Sequence, residues 1–267
     1  MAMTPAAYRS NQIVFTNKAK CLDCNRCVRV CPVKAIKMKD GQAQVDPDRC
    51  VVCGTCIREC PQKAKTYRND LETVKELIAS GKRVAVAIAP SFAVVFDGWR
   101  AKKIPSVLRS LGFAYIAETA FTAAQVSVAT KEFAEGNSGM AVLGSSCPAF
   151  VNLVEKYHPG FVKNLAPVCS PMIATAKTIR RKFAQDAEVV FIGPCTAKKY
   201  EAERKANKQF IAAALTFEEL TEWISESKID IAKCEDSDFD LAPSADEKLF
   251  ALSGGMYKAG NMEYGSF

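Results

Sequence analysis

The sequence predicts two units: a small α+β cofactor-binding module over residues 1–70, then an α/β domain with a mostly parallel sheet over residues 71–267. Three observations predict this. A cysteine run occurs twice near the start of the chain. From Leu71 onward, short β-branched runs alternate with longer helical patterns, the signature of strands joined by crossover helices. The entire basic excess lies in the first unit. A chain of 267 residues has room for one sizeable domain beyond the small module, and it contains no run of about 18 uninterrupted apolar residues that would span a membrane.

The cysteine run Cys21-x-x-Cys24-x-x-Cys27-x-x-x-Cys31-Pro32 recurs 29 residues later as Cys50-x-x-Cys53-x-x-Cys56-x-x-x-Cys60-Pro61. Thiolates at this spacing wrap a cubane iron–sulfur cluster. The repeat extends past the cysteines, because Cys31-Pro-Val-Lys-Ala35 is echoed by Cys60-Pro-Gln-Lys-Ala64, so one short unit is duplicated. In two-cluster domains the fourth cysteine of each run reaches the other cluster. One 4Fe–4S cluster is therefore expected on Cys21, Cys24, Cys27 and Cys60, and a second on Cys50, Cys53, Cys56 and Cys31. Disulfides would require an oxidising compartment and a leader, and Met1-Ala-Met-Thr-Pro-Ala has neither a basic start nor an apolar stretch. Zinc fits poorly, since the chain's single histidine, His158, leaves the cysteines without a partnering imidazole. A reducing, oxygen-poor cytoplasm is the expected setting.

Residues 1–70 hold 13 Lys/Arg against 6 Asp/Glu, whereas the remainder is balanced at 23 of each. Basic groups around anionic clusters raise their reduction potentials and offer a surface that steers an acidic electron-transfer protein such as ferredoxin. Nucleic acid is not the expected partner, because the basic residues are scattered around ligand loops without interleaved aromatics.

In the second unit Leu71–Ser80 reads as a helix ending at Gly81, and Arg83-Val-Ala-Val-Ala-Ile-Ala-Pro90 as a buried strand stopped by proline. Ile104–Leu111 is a helix closed by Gly112, and Tyr115–Glu118 a weaker strand. Thr119–Ala134 reads as helix, Gly139–Gly144 as strand, and Ala149–Tyr157 and Ser170–Phe183 as helices. Glu188–Gly193 is a strand, Ile211–Thr216 another, and Phe217–Ser227 the helix that follows.

Two loops stand where such folds build their sites. Gly144-Ser-Ser-Cys147-Pro148 and Gly193-Pro-Cys195-Thr-Ala-Lys198 each follow an expected strand, which places both cysteines at carboxyl ends of parallel strands. A lone cysteine is more often a small buried hydrophobe, but such a residue needs no Gly/Pro loop around it on both occasions. Ligand outweighs filler here. His158 reads as a helix C-cap. The turns at Gly136 and Ser253 lack the context of a nucleotide site. Met172, Met256 and Met262 read as core or pocket lining.

These residues also carry a resemblance. The duplicated module, Val86-Ala-Ile-Ala-Pro90, Phe121-Thr-Ala-Ala, Ser145-Ser-Cys-Pro148, Ser170-Pro-Met172 and Pro194-Cys-Thr-Ala-Lys-Lys199-Tyr-Glu201 resemble the iron-only (FeFe) hydrogenases over nearly the whole chain. The resemblance implies a ferredoxin-like module followed by a hydrogenase-type α/β domain. It further implies that Cys147 and Cys195 hold a third cubane joined to a two-iron subcluster bearing CO and CN, with Lys198 hydrogen-bonding a cyanide.

The departures from that pattern imply a sensory or divergent branch. Ser146 stands where catalytic members have a proton-passing cysteine, and a hydroxyl is the far weaker acid. Only Glu132 is acidic where relay glutamates are expected, in Val128-Ala-Thr-Lys-Glu-Phe133. Gly193 replaces a methionine. The third motif, with its C-x-x-x-C pair, is missing, so the sequence is expected to be a truncated piece, a natural short form, or a chain whose site another subunit or domain completes. Cys147, Cys169, Cys195 and Cys234 would suffice in number for an ordinary cubane, but Cys234 reads as an exposed thiol in an acidic loop. The alternative to a hydrogen-converting or hydrogen-sensing protein is a non-catalytic electron-transfer subunit that keeps the fold.

Overall fold

The computed structural model describes residues 12–252 and 254–259, so Met262 lies outside the described residues. The first module comprises β1 (Val14–Thr16), α1 (Arg26–Val30), β2 (Ile36–Lys39), β3 (Gln42–Val45), α2 (Thr55–Arg58) and β4 (Lys65–Tyr67). β1 and β4 pair antiparallel and close the ends of the module on each other, while β2 and β3 form a hairpin. The duplication seen in the sequence is repeated in the backbone. Positive φ values recur at Asp23 and Val52, at Asn25 and Gly54, and at Lys34 and Lys63. A β-branched residue such as Val52, at φ 59°, adopts this conformation only when its surroundings impose it.

The second domain begins with α3 (Leu71–Ala79), β5 (Val84–Ile88), α4 (Phe92–Val95) and α5 (Ile104–Ser110). It continues with β6 (Tyr115–Glu118), α6 (Ala120–Glu135), α7 (Pro148–Tyr157) and α8 (Pro171–Lys182). β7 (Glu188–Gly193), α9 (Ala197–Glu203), β8 (Ala213–Thr216), α10 (Phe217–Glu226) and α11 (Gly255–Ala259) complete it. The four strands form one parallel sheet in the order β6-β5-β7-β8. β5 is buried along its whole length, which explains its unbroken apolar reading. Helices cover the sheet, and a Thr216/Glu219 capping box starts α10.

One expected strand is absent. Residues 139–144 form no strand; Leu143 makes a single bridge to Leu165. The place beside β6 is taken instead by Leu241, which bridges Ala117 and whose carbonyl accepts from Glu118 N at 3.0 Å. Residues 139–144, none of them fully buried, therefore have no sheet edge to join.

The two units pack into one body. Ala197, Ala149, Leu153, Tyr157 and Tyr200 of the second domain share a core with the module's Ile13, Val33 and Val51. No helix among the described residues is long and apolar enough to cross a membrane.

Candidate cluster cavities and two-cysteine site

The module's eight cysteines surround two cavities. Cys21, Cys24, Cys27 and Cys60 line one. Cys31, Cys50, Cys53 and Cys56 line the other. The fourth cysteine of each run thus crosses to the other cavity, because β1–β4 pairing folds the two half-units against each other. No three His, Cys, Asp or Glu side chains among the described residues converge tightly enough to hold a single metal ion. The thiols are instead spread around a volume, four to each, which is the donor set of a cubane.

Local backbone supports sulfur ligation. The N–H of Ala35 donates to Cys31 Sγ at 3.2 Å, that of Ala64 to Cys60 Sγ at 3.2 Å, and that of Val52 to Cys50 Sγ at 3.4 Å. Lys65, 3% exposed, lines the first cavity, and its ammonium donates to Thr16 Oγ1 at 2.5 Å. Burial pushes the thiols of Cys27 and Cys50 up, and that of Cys56 to about 12, although Lys65 pulls Cys27 and Cys56 the other way. Loading iron onto them releases protons.

The second cavity abuts the loops that carry Cys147 and Cys195. Thr196 Oγ1 donates to Val52 O at 3.5 Å, and a side chain at Gly54 would meet the same oxygen at 3.5 Å. α7, which begins right after Cys147, docks on the same ligand loop. Asn152 Nδ2 donates to Val51 O (3.3 Å), Lys156 Nζ to Cys50 O (2.8 Å) and Tyr157 OH to Arg49 O (2.7 Å). The first cavity is not part of this contact.

Cys195 follows β7 directly. β5 connects to β6 on one side and β7 leads to β8 on the other, so the carboxyl ends of β5 and β7 flank the topological switch point, where α/β sheets open a crevice. Cys147 reaches the same place without following a sheet strand, which corrects the sequence expectation for its loop. Ser145 Oγ anchors that loop to Val168 O at 2.7 Å. Lys198 Nζ donates to Ser146 O at 3.3 Å and to the Glu201 carboxylate at 2.7 Å, clamping the two loops together. Cys147 is exposed. Burial pushes the half-buried Cys195 thiol up, Lys198 opposes this, and Cys147 is close enough that its thiolate adds to the rise.

The model of the iron-only hydrogenase large subunit, C-terminal domain, matches residues 82–264, and that of the 4Fe-4S dicluster domain matches residues 20–64. The chain belongs to the iron-only hydrogenase family. The chain is 33% identical over 284 residues to iron hydrogenase 1 of Clostridium pasteurianum, covering 91% of this chain and 50% of that one. It thus spans half the length of that relative. It is 26% identical over 152 residues to the cytosolic Fe-S cluster assembly factor NAR1 of Yarrowia lipolytica, covering 51% of this chain and 31% of that one. Among solved structures it resembles a variant of the [FeFe]-hydrogenase HydA1 from Chlamydomonas reinhardtii. The TM-score is 0.61 at 22% identity, over 73% of this chain and 57% of that one.

Within this member of the iron-only hydrogenase family, positions singled out in the sequence have local explanations. A side chain at Gly193 would fall 2.6 Å from the Phe191 ring and 3.1 Å from Ala89 Cβ, so Phe191 occupies the space a larger residue would need. Glu132 is exposed on α6; the helix buries Ser127 and Thr130 instead. Cys169 and Cys234 pack at the margin of the large core, whereas Cys195 packs with the cluster module. The four-thiol cubane is therefore not assembled. Cys234 is half-buried rather than exposed, its carbonyl bound by Lys103. Lys65 and Lys199 carry no sequence signal of a role, since only contacts with distant residues set them apart from surface charges.

Proposed function

We propose that this chain is an electron-carrying iron–sulfur protein of hydrogen metabolism, with a sensory or low-turnover role. Cys21, Cys24, Cys27 and Cys60 would hold one 4Fe–4S cluster, and Cys31, Cys50, Cys53 and Cys56 another. Cys147 and Cys195 supply two thiolates toward a third. When bound, these groups supply one-electron relay and, with a two-iron subcluster, the interconversion 2H⁺ + 2e⁻ ⇌ H₂.

The observation that carries this proposal is the contact of the Val52–Gly54 ligand loop with Thr196, next to Cys195. It sets the second cavity between the first cavity and the two-cysteine site. Lys198 holds both loops in place and offers an ammonium to an anionic ligand there. The weakly acidic Ser146 limits proton exchange at the site, which suits slow turnover. The basic face of the module would recruit an acidic electron-transfer protein, and further ligands would come from another subunit or domain.

The test is an infrared spectrum of protein produced anaerobically with hydrogenase maturation factors. CO and CN stretches that shift under H₂ are expected; a silent region with iron for cubanes alone would overturn the hydrogen-converting role. That outcome would favour a non-catalytic electron-transfer subunit, to which the Ser146 substitution and the likeness to an iron–sulfur assembly factor also point.

A further inference from the structure

The two halves of the cluster module correspond at an offset of 29 residues, and the correspondence extends to single hydrogen bonds. Asn17 N donates to Ala64 O at 2.7 Å, just as Asp46 N donates to Ala35 O at 2.8 Å. One adjoining pair breaks the likeness. The strand register sets Thr16 against Lys65 and, at the equivalent positions, Val45 against Ile36. Val45 and Ile36 line the second cavity, whereas Thr16 and Lys65 line the first. A hydroxyl and an ammonium thus stand beside one cluster cavity where two aliphatic side chains stand beside the other.

Lys65 is 3% exposed, and among the described residues no carboxylate pairs with it. Its ammonium donates to Thr16 Oγ1 at 2.5 Å and to Ala43 O at 3.4 Å, and the Thr16 hydroxyl donates in turn to Ala43 O at 2.5 Å. Both acceptors are neutral, and both line the first cavity but not the second. Taking an ammonium out of water without a counter-charge is strongly unfavourable. An anion in the first cavity supplies that charge, and a cubane on four thiolates is such an anion.

The other charges around the cavities leave this asymmetry in place. Asp23 and Arg26 also line the first, but Asp23 is exposed to water and Arg26 pairs with Glu59 at 2.6 Å. Apart from its thiols, no ionisable side chain among the described residues lines the second. Lys156 stands behind it, donating to Cys50 O, with Asp46 and Asp48 close by. Burial raises the Cys27 and Cys56 thiols and Lys65 is the foremost charge opposing it at both, so its field also reaches the second cavity through Cys56.

We propose that Lys65 makes the two clusters unequal, holding the reduction potential of the one on Cys21, Cys24, Cys27 and Cys60 above that of its neighbour. This rests on the proposed assignment of two 4Fe–4S clusters. A buried positive charge favours the more negative, reduced state, and acts most on the cluster whose wall it forms. One electron lost by the second cluster is gained by the first, and no proton moves. Only the second cavity abuts the two-cysteine site, through Thr196 and α7. The module therefore draws electrons away from that site and keeps them at its outer station.

An anaerobic redox titration of the cluster-loaded full chain, followed by paramagnetic resonance, tests this. The signal that appears at the higher potential should be altered in Cys24→Ser and spared in Cys53→Ser. Lys65→Met keeps the side-chain length and removes the charge. It should shift the one-electron equilibrium between the clusters at least tenfold toward the second, or 59 mV. The pair Ile36→Lys with Val45→Thr, which copies the polar pair into the second half, should narrow the gap from the other side. That variant still reads the effect if Lys65→Met fails to retain the first cluster. A higher potential at the second cluster in the wild type, or a gap unchanged in both variants, would overturn this proposal alone. Protein that takes up no cubane would overturn it together with the cluster assignment.

Discussion

The Lys199 ammonium is fully buried and lies 3.0 Å from the Asp70 carboxylate, at the junction of the cluster module and the α/β domain. It also reaches Glu219 at 2.9 Å and Ala214 O at 2.7 Å, so all three of its protons are used. Asp70 in turn binds Arg68, which also pairs with Glu203. Its neighbour Lys198 points into the two-cysteine site. Two consecutive lysines on α9 therefore do different work: one clamps the site and the other joins the domains.

Removing Lys199 leaves the buried Glu219 carboxylate without a cation and Asp70 with Arg68 alone. Lys199→Ala should destabilise the protein by about 3–5 kcal/mol, the cost of breaking a buried pair. Chemical denaturation at neutral pH would measure it. Lys199→Arg should not restore stability, since a planar fork does not fit three converging acceptors. A loss below about 1 kcal/mol would mean that water replaces the ammonium there.

Lys198→Ala removes the bond to Ser146 O and leaves the Glu201 carboxylate, in a residue 7% exposed, unpaired. A stability loss of about 1–3 kcal/mol is expected. Any CO and CN stretches of the matured wild type should be lost or displaced. Lys198→Arg should keep the stability but not the band positions, and unchanged bands in both variants would show that the ammonium only clamps the loops.

The crossed lining of the cavities makes Cys31→Ser diagnostic. Cys31 belongs to the first run yet lines the second cavity. Its replacement should remove or convert the cluster next to Thr196 while sparing the one on Cys21, Cys24 and Cys27. Cys60→Ser should do the reverse. Paramagnetic resonance of the two variants, each paired with Cys53→Ser, would separate the cases: loss of the same signal in Cys31→Ser and Cys53→Ser is the expected pattern.

In the apoprotein, thiol reactivity should follow exposure. Cys24, Cys53 and Cys147 are exposed, whereas burial holds the Cys56 thiol up at about 12 and raises Cys27 and Cys50. A raised thiol pKa means less thiolate at a given pH. Alkylation at mildly alkaline pH, followed by mass spectrometry, should label the exposed three first and Cys56 last. Equal rates would indicate that the module does not keep this shape without its clusters.

The ligand runs were legible because a cluster motif is local: four thiols within eleven positions carry their meaning wherever the run sits. β5, β7 and the long helices were legible for a similar reason, as buried parallel strands are uniformly apolar and helices show their periodicity. Residues 139–144 misled, since two glycines around Met-Ala-Val-Leu look like a buried strand until Leu241 is found at the sheet edge.

The cysteine identities, the domain order and the α/β alternation were thus readable from residues near one another in the chain. Strand order, the switch point beside Cys195, the docking of α7 on the second ligand loop and the burial of Lys199 and Glu118 were not. Each depends on pairings across tens of residues, such as Lys199 with Asp70 or Asn152 with Val51, and a charged side chain looks the same in sequence whether it faces water or an acceptor. Folding supplies that difference, because taking a charge out of water is tolerated only where several distant segments bring partners to meet it.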